Sequence, residues 1–507
     1  MSSRQISYKL EVDWDGSGGF SVSEDESNNL LTASGNEEIA NPVDSAFATG
    51  GYTTEATFTL ANKARRYSPT NASSPIYSYI TSGKYYQKKV KLTVTIAGVS
   101  YTAFLGYIKS ISESPITPDS NGTVTLKCAS GDAFLIGKKA TSLASVTKSF
   151  FDTGKDEGQL IAQTLSICGL VDGIDYVSQD LGSGTPTIAR GLFIIPWYWL
   201  DKESPIEDCN TLAAACGGRF YYNTSDGKYY YDNAQMYCSG TAGVSQATID
   251  TSNSLSIIPK YNDKEMYKNI IVTVRPRQIG DSKVLWQPEE PVKILPGQTV
   301  TLVAKLDTPV YEFTKLEIRA MTTGGFDKTS EVTYPAPNYS SQEVVFQLTN
   351  TGVYHLFLRT FKLYGRAIEG GESVQYTVPA SDATYWNTRY GKDRLIDNNP
   401  YVQTYAQAKA IGDLLAYRQG NFGSQYTVKG YKGNNFLRVN YRVTVANSII
   451  GLSNSDAIIT SMDWSLNPGS FEQNFELFSS ANLYHYDSGS YFKIGTHSQN
   501  SGKRFFY

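Results

Sequence analysis

The stretch EDCNTLAAACGGRFYYNTSDGKYYYDN, residues 207 to 233, gathers two cysteines and five tyrosines, side chains that serve redox, metal-binding and nucleophilic chemistry. Their spacing argues against all three. Cys209 and Cys216 fall on one short helix, about 10 Å apart along its axis, beyond the roughly 7 Å between Cα atoms that a disulfide tolerates. The chain has three histidines, His355, His485 and His497, all remote in sequence and without zinc-ligand spacing. Five cysteines (Cys128, Cys168, Cys209, Cys216 and Cys238) are an odd number with no CxxC pair, and they read as free thiols among apolar neighbours.

Other catalytic patterns are equally sparse. GxSxG, HExxH and GxxxxGK[ST] do not occur. Histidine activation of a nucleophile would rest on His355, which falls in an alternating segment and reads as a half-buried sheet residue. In DWDGSGGFSVSE, the residues Asp13, Asp15, Gly16 and Glu24 partly match a calcium loop but lack the third ligand before the glycine. A glycine-rich turn is expected there, followed by a solvated acidic run, Glu24-Asp25-Glu26. Paired carboxylates brought together from distant strands would leave no trace in sequence. The expectation is a protein that is not an enzyme, with no catalytic, cofactor or metal residues and no turnover of cell-wall polymers or peptides.

Basic and aromatic residues interleave in ANKARRYSP (Lys63, Arg65, Arg66, Tyr67) and GKYYQKKVK (Lys84, Tyr85, Tyr86, Lys88, Lys89, Lys91), a combination that can contact a nucleic-acid backbone. Lys plus Arg number 45 against 48 Asp plus Glu, a net charge of -3, so the chain lacks the excess a polyanion binder shows. We read these residues as the rim of a β-barrel, where charge discourages edge pairing or meets an acidic subunit. Arg65, Arg66, Lys88 and Lys89 are the candidate interface. The 37 tyrosines suit either a glycan-binding surface or large subunit contacts.

These groups must be carried by elements, and the pattern is strand almost throughout. At 507 residues, three or four domains are expected. The start lacks the basic-then-apolar pattern of a secretion signal, and no apolar stretch approaches the roughly 18 to 20 residues of a membrane span, so a soluble product made in the cytoplasm is expected. YKLEVDW, YTTEATFTLANKARRYSP, KKVKLTVTIAGVSYTAFLGYIKSISE and GTVTLKCAS alternate with period two and predict a first antiparallel barrel or sandwich over 1–135, with a hairpin turn at Gly98. Residues 136–260 carry two helices. GKDEGQLIAQTLSICGL ends at Gly169. SPIEDCNTLAAAC is capped by Ser204, has Pro205 in its first turn and stops at Gly217-Gly218, before a hairpin turning at Asp226-Gly227. Short strands with turn signals over 261–382 predict a β-sandwich. Residues 383–480 carry a helix capped by Asn399, with Thr404, Ala408, Ile411 and Leu415 on its inner face and Gly420 as its stop, then more strands. Residues 481–507 read as an extended arm.

The order of these segments resembles the tail hub proteins of tailed bacteriophages, the baseplate or tail-tip hub family shared with contractile injection systems. ATFTLANKARRYSP…SPIYSYITSGKYYQKKVKLTVTIAGVSYTAFLGYIKS is similar to that family's first barrel. SPIEDCNTLAAACGGRFYYNTSDGKYYYDN resembles its middle helix and hairpin, and RYGKDRLIDNNPYVQTYAQAKAIGDLLAYRQG with the strands to ITSMDWSLNPGSFEQNFELF resembles its return to a second barrel. The resemblance touches most of residues 50–480 and transfers no functional side chain. It implies a mainly β chain of β-rich α+β class, with two tail-tube-like barrels, a helix-hairpin middle domain and a sandwich insertion. It also implies a homotrimeric ring around a central channel that joins a six-fold tail tube to a three-fold tip at the distal end of a virion tail. The implied partners are tail tube, distal tail, tape measure and tip or fibre proteins, with DNA passing through the channel but not stably bound. A receptor- or carbohydrate-binding tail protein and a tail-associated cell-wall hydrolase are the alternative readings.

Overall fold

The computed structural model describes residues 4–20, 24–39, 52–114, 122–131, 154–179, 185–200, 205–234, 244–260, 267–339, 342–379, 392–420 and 425–479. The expected Ser204 cap, Cys238, His485, His497 and the C-terminal arm lie outside them.

The first six strands, β1 (Ile6–Val12), β2 (Leu30–Ile39), β3 (Tyr52–Ala61), β4 (Lys89–Ile96), β5 (Val99–Glu113) and β6 (Thr123–Ala129), follow the predicted alternation, with a four-residue helix α1 (Tyr77–Ile80) between β3 and β4. In β4 every second residue, Val90, Leu92, Val94 and Ile96, is completely buried. The intervening lysines and threonines are partly exposed, as period two demands. β4 turns into β5 at Ala97-Gly98, where both residues have positive φ.

Helix α2 (Glu157–Ile167) begins with a capping box: Asp156 accepts the Gln159 amide N–H and Gln159 reciprocates. It ends before Gly169, at φ +84°. Helix α3 (Pro205–Ala215) has proline in its first position and buries Cys209 and Leu212, with Cys216 buried just beyond its end. Strands β7 (Arg219–Asn223) and β8 (Lys228–Asp232) then form the expected hairpin, with Gly227 at φ +76° in the turn. Across this pair Phe220 stacks on Tyr229 and Tyr221 on Tyr230, at centroid separations of 5.8 and 5.5 Å. Cys168, Cys209 and Cys216 pack with Phe220, Tyr222, Tyr229 and Tyr231 in one apolar cluster, so these cysteines and tyrosines hold shape. Cys128, Cys168, Cys209 and Cys216 are all buried and none is in a disulfide, and burial pushes the thiols of Cys128, Cys209 and Cys216 above the ordinary range.

Strands β9 (Thr248–Ile249) and β10 (Ser256–Lys260) join the sheet of the terminal strands, described below, and so leave the middle segment in which sequence placed them. β11 (Asn269–Val274) opens the next segment. Then come β12 (Arg277–Ile279), β13 (Lys283–Trp286), β14 (Val292–Ile294), β15 (Thr299–Lys305), β16 (Val310–Thr322), β17 (Val332–Thr333), β18 (Asn338–Tyr339), β19 (Glu343–Asn350) and β20 (Leu356–Gly370). β12, β13, β14 and β16 pair with β20, and β15, β17 and β18 pair with β19. The two sheets enclose Ala320, Val344, Phe346, Leu356 and Phe361, a sandwich core of its own. β21 (Val374–Pro379) and β22 (Asp393–Ile396) flank β11 in a small sheet that packs on α4 (Tyr405–Gly420).

Helix α4 starts later than its sequence pattern predicts. Thr404 Oγ1 accepts the Gln407 N–H at 3.3 Å while Gln407 Oε1 accepts the Thr404 N–H at 3.0 Å, so Thr404 caps the helix and does not line its inner face. Asn399 instead holds the preceding turn, through the Tyr401 N–H at 3.0 Å.

The last strands are β23 (Gln425–Tyr431), β24 (Arg442–Asn447), β25 (Leu452–Asn467) and β26 (Ser470–Ser479). The chain is β-rich α+β, as expected, but the two expected barrels do not close among the described residues. Both sets of strands run into a single sheet of twelve, because β2 from one set pairs with β25 from the other. That pairing satisfies backbone groups that a closed barrel would satisfy internally. No described helix is long and apolar enough to cross a membrane.

Candidate assembly interface

The twelve-stranded sheet is built twice on one plan. The N-terminal set has the spatial order β1-β4-β5-β6-β3-β2, and the C-terminal set has β9-β24-β25-β26-β23-β10. Numbered in chain order within each set, both read 1-4-5-6-3-2. Directions agree at every pair except the first, where β1 runs antiparallel to β4 but the two-residue β9 runs parallel to β24.

The match extends to single residues. The β5·β6 ladder shifts register between Ile108 and Ser110, and the β25·β26 ladder does so between Ile459 and Ser461. Around the first bulge, Gln87 N–H donates to the Ile108 carbonyl at 3.0 Å and Ile108 N–H to that of Lys88 at 2.9 Å. Around the second, Asn440 N–H donates to Ile459 at 2.8 Å and Ile459 N–H to Tyr441 at 3.1 Å. Gln87 and Asn440 both sit in the left-handed region, at φ 65° and 64°, which non-glycine residues seldom visit. In this frame Lys89 corresponds to Arg442, Ile111 to Met462 and Phe58 to Val428.

The two copies meet where β2 pairs with the C-terminal part of β25, from Ala33 opposite Leu466 to Glu38 opposite Ser461. Gly35 faces Trp464, and a Cβ on Gly35 would lie 2.4 Å from the indole, so this close approach requires glycine. Beside it Arg438 is 8 % exposed and bonds to Glu37, itself 4 % exposed. Arg438 also donates to Thr224 Oγ1 at 2.9 Å and to the Thr102 carbonyl. One guanidinium from the C-terminal set thus ties together two strands of the N-terminal set and the tip of the β7–β8 hairpin. The sequence reading passed over Arg438, an isolated arginine whose partners lie hundreds of residues away.

Of the four basic residues singled out by sequence, Arg65 is exposed and donates to Thr70 Oγ1 at 2.6 Å. Arg66 turns inward to Glu26 at 2.8 Å. Lys88 is half-buried, its Nζ 5.9 Å from the Tyr79 ring centroid. Lys89 opens β4 opposite Tyr107, and its carbonyl accepts the Asp13 N–H at 2.9 Å.

The acidic run is not the solvated loop expected from sequence. Glu24 and Glu26 are buried, and only Asp25 is exposed. Glu26 accepts from Trp14 Nε1 at 3.0 Å, Asn29 Nδ2 at 2.8 Å, Arg66 and the Tyr67 hydroxyl. These donors offset the cost of burying its charge. Burial, then the charge of Glu26, drives the Tyr67 hydroxyl far above its ordinary pKa. Asp13, Asp15 and Glu24 converge, with one carboxylate oxygen from each within 4.8 Å of the others. The loop amides take up part of this charge: Asp13 accepts from Ser17 and Gly18 N–H at 3.0 and 2.9 Å, and Asp15 from Ser17 N–H at 2.8 Å. The Ser17 bond holds the Asp15 carboxyl below the usual range.

His355, expected in a strand, is exposed just ahead of β20. A carboxyl that sequence did not flag is Glu157 in α2. It is fully buried and accepts N–H bonds from Leu192 and Phe193 at 2.7 and 3.0 Å and the Tyr231 hydroxyl at 3.1 Å. Burial raises it from the ordinary 4.5 to about 7, against the lowering effect of the amides. Its setting inside the helix-hairpin core gives it a structural part.

No protein-family model and no curated protein sequence matches the chain. Solved structures do. A tail protein from Neisseria meningitidis MC58 is similar over 93% of this chain and 97% of its own, with 8% identity and a TM-score of 0.46. The 43 kDa tail protein of prophage MuSo2 from Shewanella oneidensis is similar over 94% and 98%, with 13% identity and a TM-score of 0.47. An E. coli component of the type VI secretion system, described as structurally similar to the bacteriophage T4 tail proteins gp27 and gp5, is similar over 91% and 76%, with 9% identity and a TM-score of 0.36. These three structural neighbours are two tail proteins and a secretion-system component.

Proposed function

We propose that this chain is a structural hub of a bacteriophage tail, a homotrimeric ring around the central channel at the distal end of the tail tube. The observation that carries the reading is the duplication: each chain contributes two six-strand units of one topology, so three chains present six similar units. Such a ring matches a six-fold tube on one face, while the helix-hairpin segment and the sandwich, present once per chain, supply three-fold features to a tip. The fused sheet supports it further. Through Gly35, Trp464 and the Arg438–Glu37 pair, the two units of one chain are held in a fixed relation, as neighbouring places in a ring require.

The domain plan that accompanies this reading keeps the boundaries 1–135, 136–260, 261–382 and 383–480 for a strand unit, a helix-hairpin segment, a sandwich and a helix with return strands, except that β9 and β10 belong to the return strands and β11 and β21 to the sheet on α4. Tail tube, distal tail, tape measure and tip or fibre proteins are the proposed partners, with Arg65, Arg66, Lys88 and Lys89 near the rim that meets them. Copy number per particle tests the reading. Three copies per virion support a hub, whereas a dozen or more support a peripheral adhesin and overturn it.

A further inference from the structure

The junction between the two units uses an edge that each unit possesses. In the N-terminal unit the outer edge of β2 is taken by the C-terminal part of β25, beyond the residues of β25 that pair with β24. The counterpart of β2 is β10, which pairs with β23 on one side and with no described strand on the other. The counterpart of the β25 segment is the end of β5. There β4 and the residues before it reach no further than Ile108, so Ser110 to Glu113 pair only with β6 among the described strands. One edge of each kind is left over, and an open strand edge is a template for another chain.

We infer that β10 of one copy pairs antiparallel with the end of β5 of a second copy, reproducing the β2·β25 junction between chains. The register follows from the repeat. Ser34, Gly35 and Asn36 face Ser465, Trp464 and Asp463, and they correspond through β3 and β23 to Ile258, Pro259 and Lys260. Across the bulges, Ser465, Trp464 and Asp463 correspond to Ser114, Glu113 and Ser112. Lys260 therefore falls opposite Ser112, Pro259 opposite Glu113 and Ile258 opposite Ser114.

The side chains fit this arrangement. Lys260, which pairs with Glu476 at 2.9 Å in its own chain, comes opposite the small Ser112 and meets no like charge there. Ile258, 44% exposed, gains cover. Pro259 stands where Gly35 stands, but the indole that demands glycine is replaced by Glu113, and proline is at home on edge strands. The contact is head-to-tail, so each copy uses both edges and the copies close into a ring. The inference names the contact of the proposed ring and rests on that reading for closure at three; the pairing itself rests on the repeat.

The test is disulfide trapping in the full-length chain. Lys260→Cys and Ser112→Cys change exposed or half-exposed side chains, and opposed strand residues lie within disulfide reach. Mixing the two single variants under mild oxidation should give a covalent dimer that neither forms alone, and the double variant should give a closed covalent oligomer. Pairing Lys260→Cys with Ser110→Cys, two residues out of register, should trap at least ten-fold less. If light scattering finds an oligomer but no Lys260→Cys to Ser112→Cys link forms, this inference fails and the ring reading survives. A chain that stays monomeric, without the link, overturns both. Efficient dimerisation of Ser112→Cys alone would place an edge against itself and overturn the head-to-tail contact.

Discussion

Gln87 and Asn440 hold the same left-handed backbone, φ 65° and 64°, at the same point of two strand frames far apart in the chain. Each donates its N–H to an isoleucine at a β-bulge, Ile108 and Ile459. A strained conformation repeated with its hydrogen bond and its bulge marks the two units as copies of one design, since neither feature is needed by strands in general.

The junction between the copies should be sensitive to one methyl group. Gly35→Ala places a Cβ against the Trp464 ring and should cost about 1–3 kcal/mol as an overpacking change. Denaturant unfolding of Gly35→Ala in the wild-type and Trp464→Leu backgrounds checks this. The alanine should cost much less where the indole is gone, and an equal cost in both would remove the steric explanation.

Arg438→Met should destabilise by about 3–5 kcal/mol, because it strands Glu37 as an unpaired buried charge and withdraws donors from Thr224 and Thr102. Combining it with Glu37→Gln should recover part of the loss. A fully additive double mutant in chemical denaturation would show that the two residues do not act as a pair.

Two neighbouring arginines should behave differently. Arg66→Ala leaves Glu26 buried with fewer donors and should lower stability by about 2–4 kcal/mol. Arg65→Glu, on an exposed side chain, should leave the melting temperature within a degree or two and weaken docking to tail-tube protein if the rim meets an acidic surface. Calorimetry with a tube-docking assay separates these outcomes.

Glu157 should make stability fall with rising pH. Its native carboxyl titrates near 7 against an ordinary 4.5, so the folded state binds its proton more tightly than the unfolded chain does. The protonated form is accommodated at no charge cost below about pH 4.5. The stabilisation is lost as pH rises to 7, by about 3 kcal/mol in all. Glu157→Gln should flatten that part of the stability curve, measured by urea unfolding from pH 4.5 to 7.5; an unchanged slope would place the titration elsewhere.

Much of the local architecture was legible because it is written in adjacent residues. The alternation of Val90, Leu92, Val94 and Ile96, the stop at Gly169, the proline start of α3 and the turn at Gly227 all act within a few positions. The long-range features were not. YIKSIS in β5 and IITSMD in β25 share the isoleucine-x-serine of their bulges, yet two such short matches are inconspicuous until the ladders align them. Glu26 looked solvated because Trp14, Arg66 and Tyr67 come to it from two other segments. The barrels were expected to close because sequence shows how strands alternate but not which edges meet. Fusion through β2 and β25 depends on a pair as distant as Gly35 and Trp464.

Electron microscopy of the virion or of a reconstituted tail end tests the central claim most directly. The account predicts three copies of this chain in a ring on the tube axis, with six similar sheet units around the channel, alternately from the N- and C-terminal halves. A ring of six chains, or density for this chain in a fibre away from the axis, would contradict it.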